Sequence, residues 1–259
     1  MRTSKTALAV AWLLVSATSF AATEAPGGAG ADWMSWHAAD DVTNTASLQR
    51  GARNFMSYCV GCHSLKYERY SRLGSDLEIS PEELQKFLIL PGDKASNYIL
   101  TSMPASDAQT WFGKPPPDLS LMARARGPDY LYQFLKTFYV DSTKPTGANN
   151  LRLDATAMPA VLSDLEGLKR AVFQDEKETG ADGKVMTRHV FNHFETVAPG
   201  SMSAAQYDEF VHDTVNFLDY VGEPTQATRR SLGIWVVLFL LVFTWLAWLL
   251  KQEYWKDVR

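Results

Sequence analysis

Both cysteines of the chain lie in one short run, Tyr58-Cys59-Val60-Gly61-Cys62-His63. Two thiols separated by two residues and followed at once by histidine form the pattern for covalent haem attachment. Each thiol can add to one haem vinyl group, and the adjacent His63 can then face the iron as an axial ligand. The competing chemistries fit less well. A zinc site needs two more soft ligands, and the chain has no further cysteine. A redox dithiol has no need of a histidine directly after it.

A second axial ligand would come from a neutral thioether, which favours reduced iron and raises the potential. Met158, in Asp154-Ala155-Thr156-Ala157-Met158-Pro159, is the preferred candidate. Met103-Pro104, about 40 residues after the haem motif, is its rival, and spacing alone does not choose between them. Met56, Met122, Met186 and Met202 fall in helical or strand-like stretches and read as filler. His189 and His193 are four apart. They share their stretch with Arg188 and Glu195 and read as solvated side chains. His212 reads as a rim residue on the last soluble helix.

The cofactor would need a wall and counter-charges. Lys114-Pro115-Pro116-Pro117-Asp118 is forced into an extended course that suits a flat apolar group. Asp118 or Ser120 is expected to cap the helix that follows. Arg124 and Arg126, two apart, point to different sides of that helix. An arginine offers bidentate contacts to a haem carboxylate. Tyr130, Tyr132, Phe134 and Leu135 supply further apolar cover.

Two helices must hold this motif in place. The first begins near Ser47, capped by Asn44 or Thr45, and presents Leu48, Gly51, Ala52, Phe55 and Cys59 on one face. Gly51 costs helix stability, so its use one turn before Phe55 predicts a close helix crossing. The mate is the segment opened by the capping box Ser203…Gln206. It carries Tyr207, Phe210, Val211, Thr214, Phe217, Leu218 and Val221 on one face and stops at Gly222 and Pro224. Between the two helices, Asp182-Gly183 predicts a hairpin turn joining Ala171–Gln174 to Val185–Val190. Trp33, Trp36 and His37 read as an aromatic anchor on the domain surface.

The 259 residues carry a formal charge of −4, with 46% hydrophobic and 12% aromatic residues. Apolar runs mark both ends. Residues 1–21 read as a signal peptide: Arg2 and Lys5, the apolar Ala7–Val15, then the small residues Ser19 and Ala21 of a cleavage site. Leu232–Leu250 is uncharged and long enough to span a bilayer. Trp235, Trp248, Tyr254 and Trp255 stand near its edges, as interfacial aromatics do. The expected division is a haem domain at 22–228, a transmembrane anchor at 229–251 and a cytoplasmic tail at 252–259. An exported start followed by one span leaves the haem domain outside. Setting aside Arg2, Lys5, Arg229, Arg230, Lys251, Lys256 and Arg259, with Glu253 and Asp257, leaves a domain charge near −9. That sign disfavours nucleic acid and suits steering of a basic partner.

Taken together, these residues resemble the cytochrome c1 family, the haem subunit of the ubiquinol–cytochrome c reductase (bc1) complex, of a bacterial kind. The matching pieces are Tyr58 to Ser64, Pro116-Pro117-Asp118-Leu119-Ser120 with Ala123-Arg124-Ala125-Arg126, Ala157-Met158-Pro159, the Met202-Ser203 helix start, Gly222-Glu223-Pro224 and the C-terminal anchor. The resemblance implies a mainly α fold, a c-type cytochrome domain with long loops and a small β-hairpin, plus one C-terminal transmembrane helix. It implies one covalent haem c on Cys59 and Cys62, with His63 and Met158 axial, and Arg126 and Tyr130 at a propionate. It further implies cytochrome b, a Rieske iron–sulfur protein and a c-type cytochrome acceptor as partners, within a dimeric complex of the bacterial inner membrane, haem domain in the periplasm. The implied activity is one-electron relay, with no nucleophile or acid–base pair and no catalysis by the chain alone. The segment Leu165–Thr196 is longer than the resemblance leads one to expect. The alternatives are an anchored c-type cytochrome of another complex, such as an oxidase, a haem sensor with an open sixth position, and a haem-free dithiol protein.

Overall fold

The computed structural model describes residues 32–179 and 185–256. The segment read as a signal peptide (1–21) and the turn expected at Asp182-Gly183 lie outside them. The elements run α1 (Thr45–Tyr58), β1 (Leu65–Arg69), α2 (Tyr70–Asp76), α3 (Pro81–Phe87), β2 (Tyr98–Ile99), α4 (Ala105–Phe112), α5 (Met122–Arg126) and α6 (Pro128–Lys136). They continue with β3 (Phe138–Val140), β4 (Ala148–Asn150), α7 (Ser163–Glu166), β5 (Gly167–Thr179), β6 (Val185–Pro199), α8 (Ala204–Gly222) and α9 (Gln226–Tyr254). The strands form three antiparallel pairs, β1–β2, β3–β4 and β5–β6.

The frame is the crossing of α1 and α8, and local chemistry starts both helices where the sequence predicts. The Asn44 side chain accepts from the Ser47 N–H at 3.1 Å. Ser203 and Gln206 satisfy each other's backbone N–H groups. At the crossing, Gly51 has no room for a side chain. A Cβ there would stand 2.1 Å from the Asp213 carbonyl oxygen and 2.5 Å from Phe217 Cβ. Phe55 packs on Phe217 with ring centroids 5.9 Å apart. Beside this apolar contact lies a buried polar lock. Asp213 accepts from Arg50 Nε at 2.5 Å, Arg50 Nη2 at 2.8 Å and Ser47 Oγ at 2.6 Å. Each oxygen of a carboxylate inside the core is thereby satisfied, which its burial requires.

Two expectations change and a third is extended. The hairpin reaches beyond Ala171–Gln174 and Val185–Val190: β5 and β6 pair from Gly167↔Pro199 to Thr179↔Val185, with irregularities after Leu168 and Val172. Those breaks disturb the period-2 pattern by which a strand is read. An aromatic row, Tyr139–Phe173–Phe191–Phe194, fastens it to β3 at centroid spacings of 6.1, 6.0 and 4.7 Å. Trp33 and Trp36 form no surface anchor. Trp33 is buried, and Trp36 packs on the core with Lys136 Nζ 4.5 Å over its ring. Asp118 and Ser120 do not cap α5, which begins at Met122 without a side-chain cap; their actual partners belong to the site below.

α9 has 29 residues, a mean hydropathy of 2.4 in its apolar window and no residue buried against the rest of the chain. At ~1.5 Å rise per residue it is about 44 Å long, enough for the hydrocarbon core and both interfaces. It overruns the expected 229–251 at both ends. Glu223, between α8 and α9, accepts from Arg229 Nε at 2.6 Å and pairs with Arg124 Nη1 of α5 at 3.3 Å. One carboxylate thus links α5 to the root of α9.

Two predictions follow from this packing. Gly51→Ala forces α1 and α8 apart, and thermal unfolding should report a loss of roughly 1–3 kcal/mol. Glu68 on β1 is 2% exposed, and its Oε1 has no partner among the described residues. Burial pushes its carboxyl up to about 7, with Arg72 opposing and Asp76 adding to the rise. The folded state therefore holds this proton where the unfolded chain releases it. Stability falls as pH rises from about 4.5 through 7. Glu68→Gln should flatten that decline and be the more stable protein at pH 8, by roughly 1–3 kcal/mol in urea titrations at several pH values.

Candidate functional site

α1 delivers the motif. Its last turn ends at Cys59, whose N–H donates to Phe55 O at 2.9 Å. The chain then folds tightly, Cys62 N and His63 N both donating to Cys59 O at 3.0 and 2.8 Å. Cys59, Cys62 and His63 are thus held in one turn, all partly buried. Burial, helped by Cys62, pushes the Cys59 thiol up to about 12, and burial raises Cys62 as well. These are neutral thiols in an apolar setting, unlike the low-pKa thiolate of a redox dithiol. Among the described residues no group of three or more His, Cys, Asp or Glu is placed to hold a metal ion.

The proline wall sets His63. Its Nδ1 donates to the Pro117 carbonyl at 2.7 Å. A carbonyl only accepts, so Nδ1 carries the proton and Nε2 keeps its lone pair for a metal. Burial lowers the histidine's pKa, while the Pro117 bond and Asp118 oppose that shift; the neutral ring is the ligating form. The wall itself is stitched to the strand after the motif. Leu119 N donates to Ser64 O at 2.9 Å, Lys66 N to Asp118 Oδ2 at 2.9 Å and Tyr67 N to Ser120 Oγ at 3.2 Å. Asp118 and Ser120, expected as helix caps, serve this long-range seam instead.

From the wall the chain runs into α5 and α6. Arg126 Cζ lies 5.4 Å from the Tyr130 ring centroid, so the two residues expected at a propionate are neighbours. Arg124 points elsewhere, to Glu223. Tyr130 stacks on Phe134 at 6.3 Å. Phe134 O accepts from Asn150 Nδ2 at 2.7 Å, which joins α6 to the loop that carries Met158.

Asn149 and Asn150 organise that loop, and the sequence reading passed over both. Asn150 Oδ1 accepts from Arg152 N at 2.8 Å and Leu153 N at 3.1 Å. Asn149 Oδ1 accepts from Ala155 N at 2.9 Å. Both asparagines are almost wholly buried. Met158 follows, half-buried, its N–H reaching Thr156 Oγ1 at 3.4 Å. The rival Met103 sits on a segment bound to the motif itself. Thr101 donates to Gly61 O at 2.8 Å, and its own N–H donates to Ser64 Oγ at 2.9 Å. His189 and His193 face Asp175 and Glu195 on the hairpin.

A helix-borne Cys-x-x-Cys-His turn, a histidine whose Nδ1 proton is held by a backbone carbonyl and an apolar helix long enough to span a membrane define a membrane-bound c-type haem electron carrier. Residues 91–258 match the Cytochrome C1 family. The chain is 45% identical over 219 residues to cytochrome c1 of Allochromatium vinosum, covering 85% of this chain and 87% of that protein. It is 41% identical to a Nitrosomonas europaea protein named ammonia monooxygenase gamma subunit, covering 85% and 86%. Against cytochrome c1 of Rhodospirillum rubrum the identity is 29%, covering 88% and 87%. The chain belongs to the Cytochrome C1 family: it is a membrane-anchored, haem c-carrying electron-transfer subunit of the bc1 type. The family match begins at residue 91, beyond Cys59–His63, so the attachment motif stands on its own residues.

The asparagine ties are testable. Asn150→Leu strands the Arg152 and Leu153 N–H groups and the Phe134 carbonyl. It should cost about 2–4 kcal/mol in chemical denaturation and speed amide exchange selectively across residues 151–158.

Proposed function

We propose that Cys59 and Cys62 hold the haem by thioether bonds, that His63 Nε2 and Met158 Sδ close the two faces of its iron, and that Arg126 and Tyr130 take up a propionate. The carrying observation is the 2.7 Å bond from His63 Nδ1 to Pro117 O, directly after a turn that gathers both thiols. Met158 is favoured over Met103 because Thr101 ties the Met103 segment to the histidine's own stretch, whereas the second sulfur must approach from the other face. Bound haem supplies reversible one-electron transfer. The chain's residues fix the imidazole proton, exclude water with the proline wall and α6, and hold both donors still while charge changes.

In this reading the chain accepts electrons from a Rieske iron–sulfur protein beside cytochrome b and passes them to a c-type cytochrome. The acidic domain steers that acceptor if it is basic. Residues 1–21 are removed, the haem domain faces the periplasm of a bacterium and the tail beginning at 252 faces the cytoplasm. The chain does no bond chemistry of its own.

One preparation tests the proposal. Full-length protein drawn from gently solubilised membranes by its C-terminus should carry a haem-staining band after denaturation, and should bring cytochrome b and a Rieske protein with it. Met158→Leu should lower the midpoint potential and let the reduced protein bind carbon monoxide, while Met103→Leu should change neither. The reverse pattern would transfer the axial role to Met103. Co-purification of an oxidase core instead would reassign the complex.

A further inference from the structure

Arg152 stands six residues before Met158. Its guanidinium carbon lies 4.7 Å from the centroid of the Tyr130 ring, the ring that Arg126 approaches to 5.4 Å. Two cations against one ring are at most about 10 Å apart by the sum of those distances. Both arginines are exposed, and like charges at that range repel by about 0.4 kcal/mol in water. Nothing among the described residues neutralises them, since neither guanidinium has an ion-pair partner there.

The neighbouring carboxylates are turned to other work. Asp129, next to Tyr130, accepts from Ala38 N at 2.7 Å and bonds His37 Nδ1 at 2.8 Å. Asp154, two residues from Arg152, accepts from Asn149 Nδ2 at 2.8 Å and pairs with Lys144 at 3.6 Å. Asp141 closes its own turn through Thr143 N and Oγ1. The fold thus brings two arginines together, while Asp129, Asp141 and Asp154 are engaged by other groups. Arg152 is also well founded, because Asn150 holds its backbone N–H. The donor set, two planar forks around a tyrosine, fits a pair of carboxylates.

We infer that Arg152 is a second guanidinium for the haem carboxylates, acting with Arg126 as a positioning residue that couples the Met158 loop to the cofactor's edge. This rests on the haem assignment above. A cation here offsets the negative propionates and disfavours the extra positive charge of ferric iron. Its removal therefore lowers the potential. Because the contact is direct, added salt screens it little.

The test uses the full chain in detergent, with covalent haem established by stain and the wild-type potential measured first; absence of haem at that stage overturns the site reading rather than this one. In Arg152→Gln the ferric-to-ferrous ratio at a fixed applied potential should rise roughly fivefold, at both 50 mM and 500 mM salt, with haem content unchanged. Arg152→Lys should recover part of the shift, since charge returns without the fork. An unchanged ratio in Arg152→Gln overturns the inference. So does a shift that vanishes at 500 mM salt, which would make Arg152 a distant surface charge. An unchanged potential joined to weaker, salt-sensitive electron exchange with an acceptor cytochrome would place the partner's carboxylates there, and overturns it equally.

Discussion

The bond from His63 Nδ1 to the Pro117 carbonyl is the constraint on which the site depends, because it decides which imidazole nitrogen can meet a metal. Its own position is built from several weak ties. Three consecutive prolines have no N–H to satisfy, so that stretch can face an apolar group without stranding a donor, and its last carbonyl is free for histidine. Each hydrogen bond of the seam through Ser64, Lys66 and Tyr67 is worth only about 1 kcal/mol. The seam registers the wall because its bonds act together, and because Ser64, Leu65, Glu68 and Ser120 along it are buried.

Beneath the seam lies the helix crossing. Gly51 lets α1 and α8 approach until backbone meets side chain, and Arg50, Ser47 and Asp213 lock the rotation about that contact. Cys59 leaves α1 two turns later, so the angle of the crossing is the angle at which the thiols are presented. The same α8 ends at Gly222, where the backbone of Arg124 passes 3.4 Å from the place a Cβ would fill, and Glu223 then ties α5 to the root of α9. The cofactor segment, the proline wall and the membrane anchor are therefore referred to one helix.

What the sequence disclosed follows the range of the interaction. The caps at Asn44 and Ser203, the glycine at the crossing and the end of α8 could be read because each depends on residues within a turn or on a strong steric rule. Cys59, Cys62 and His63 stand out in the sequence because covalent chemistry would fix their spacing. Asp118 and Ser120 misled because their partners, Lys66 and Tyr67, are 52 and 53 positions away, and a short polar residue before a helix looks locally like a cap. Asn149 and Asn150 gave no signal, since nothing in a polar pair announces that burial will turn it into a scaffold. The long hairpin hid behind two register breaks.

Charge divides by distance in the same way. The domain's excess of acid, near −9, sets the sign of the field an approaching protein meets. At the site the local balance is opposite, with Arg126 and Arg152 over one tyrosine and the nearest acids engaged by His37, Lys144 and Asn149. Had these arginines served long-range attraction, they would oppose the field of the whole domain and be screened within about a Debye length. Cations set against the surrounding field make physical sense where an anion sits within contact distance. The carboxylates of a covalently held haem are such anions, and the loop that brings Met158 brings Arg152 with it.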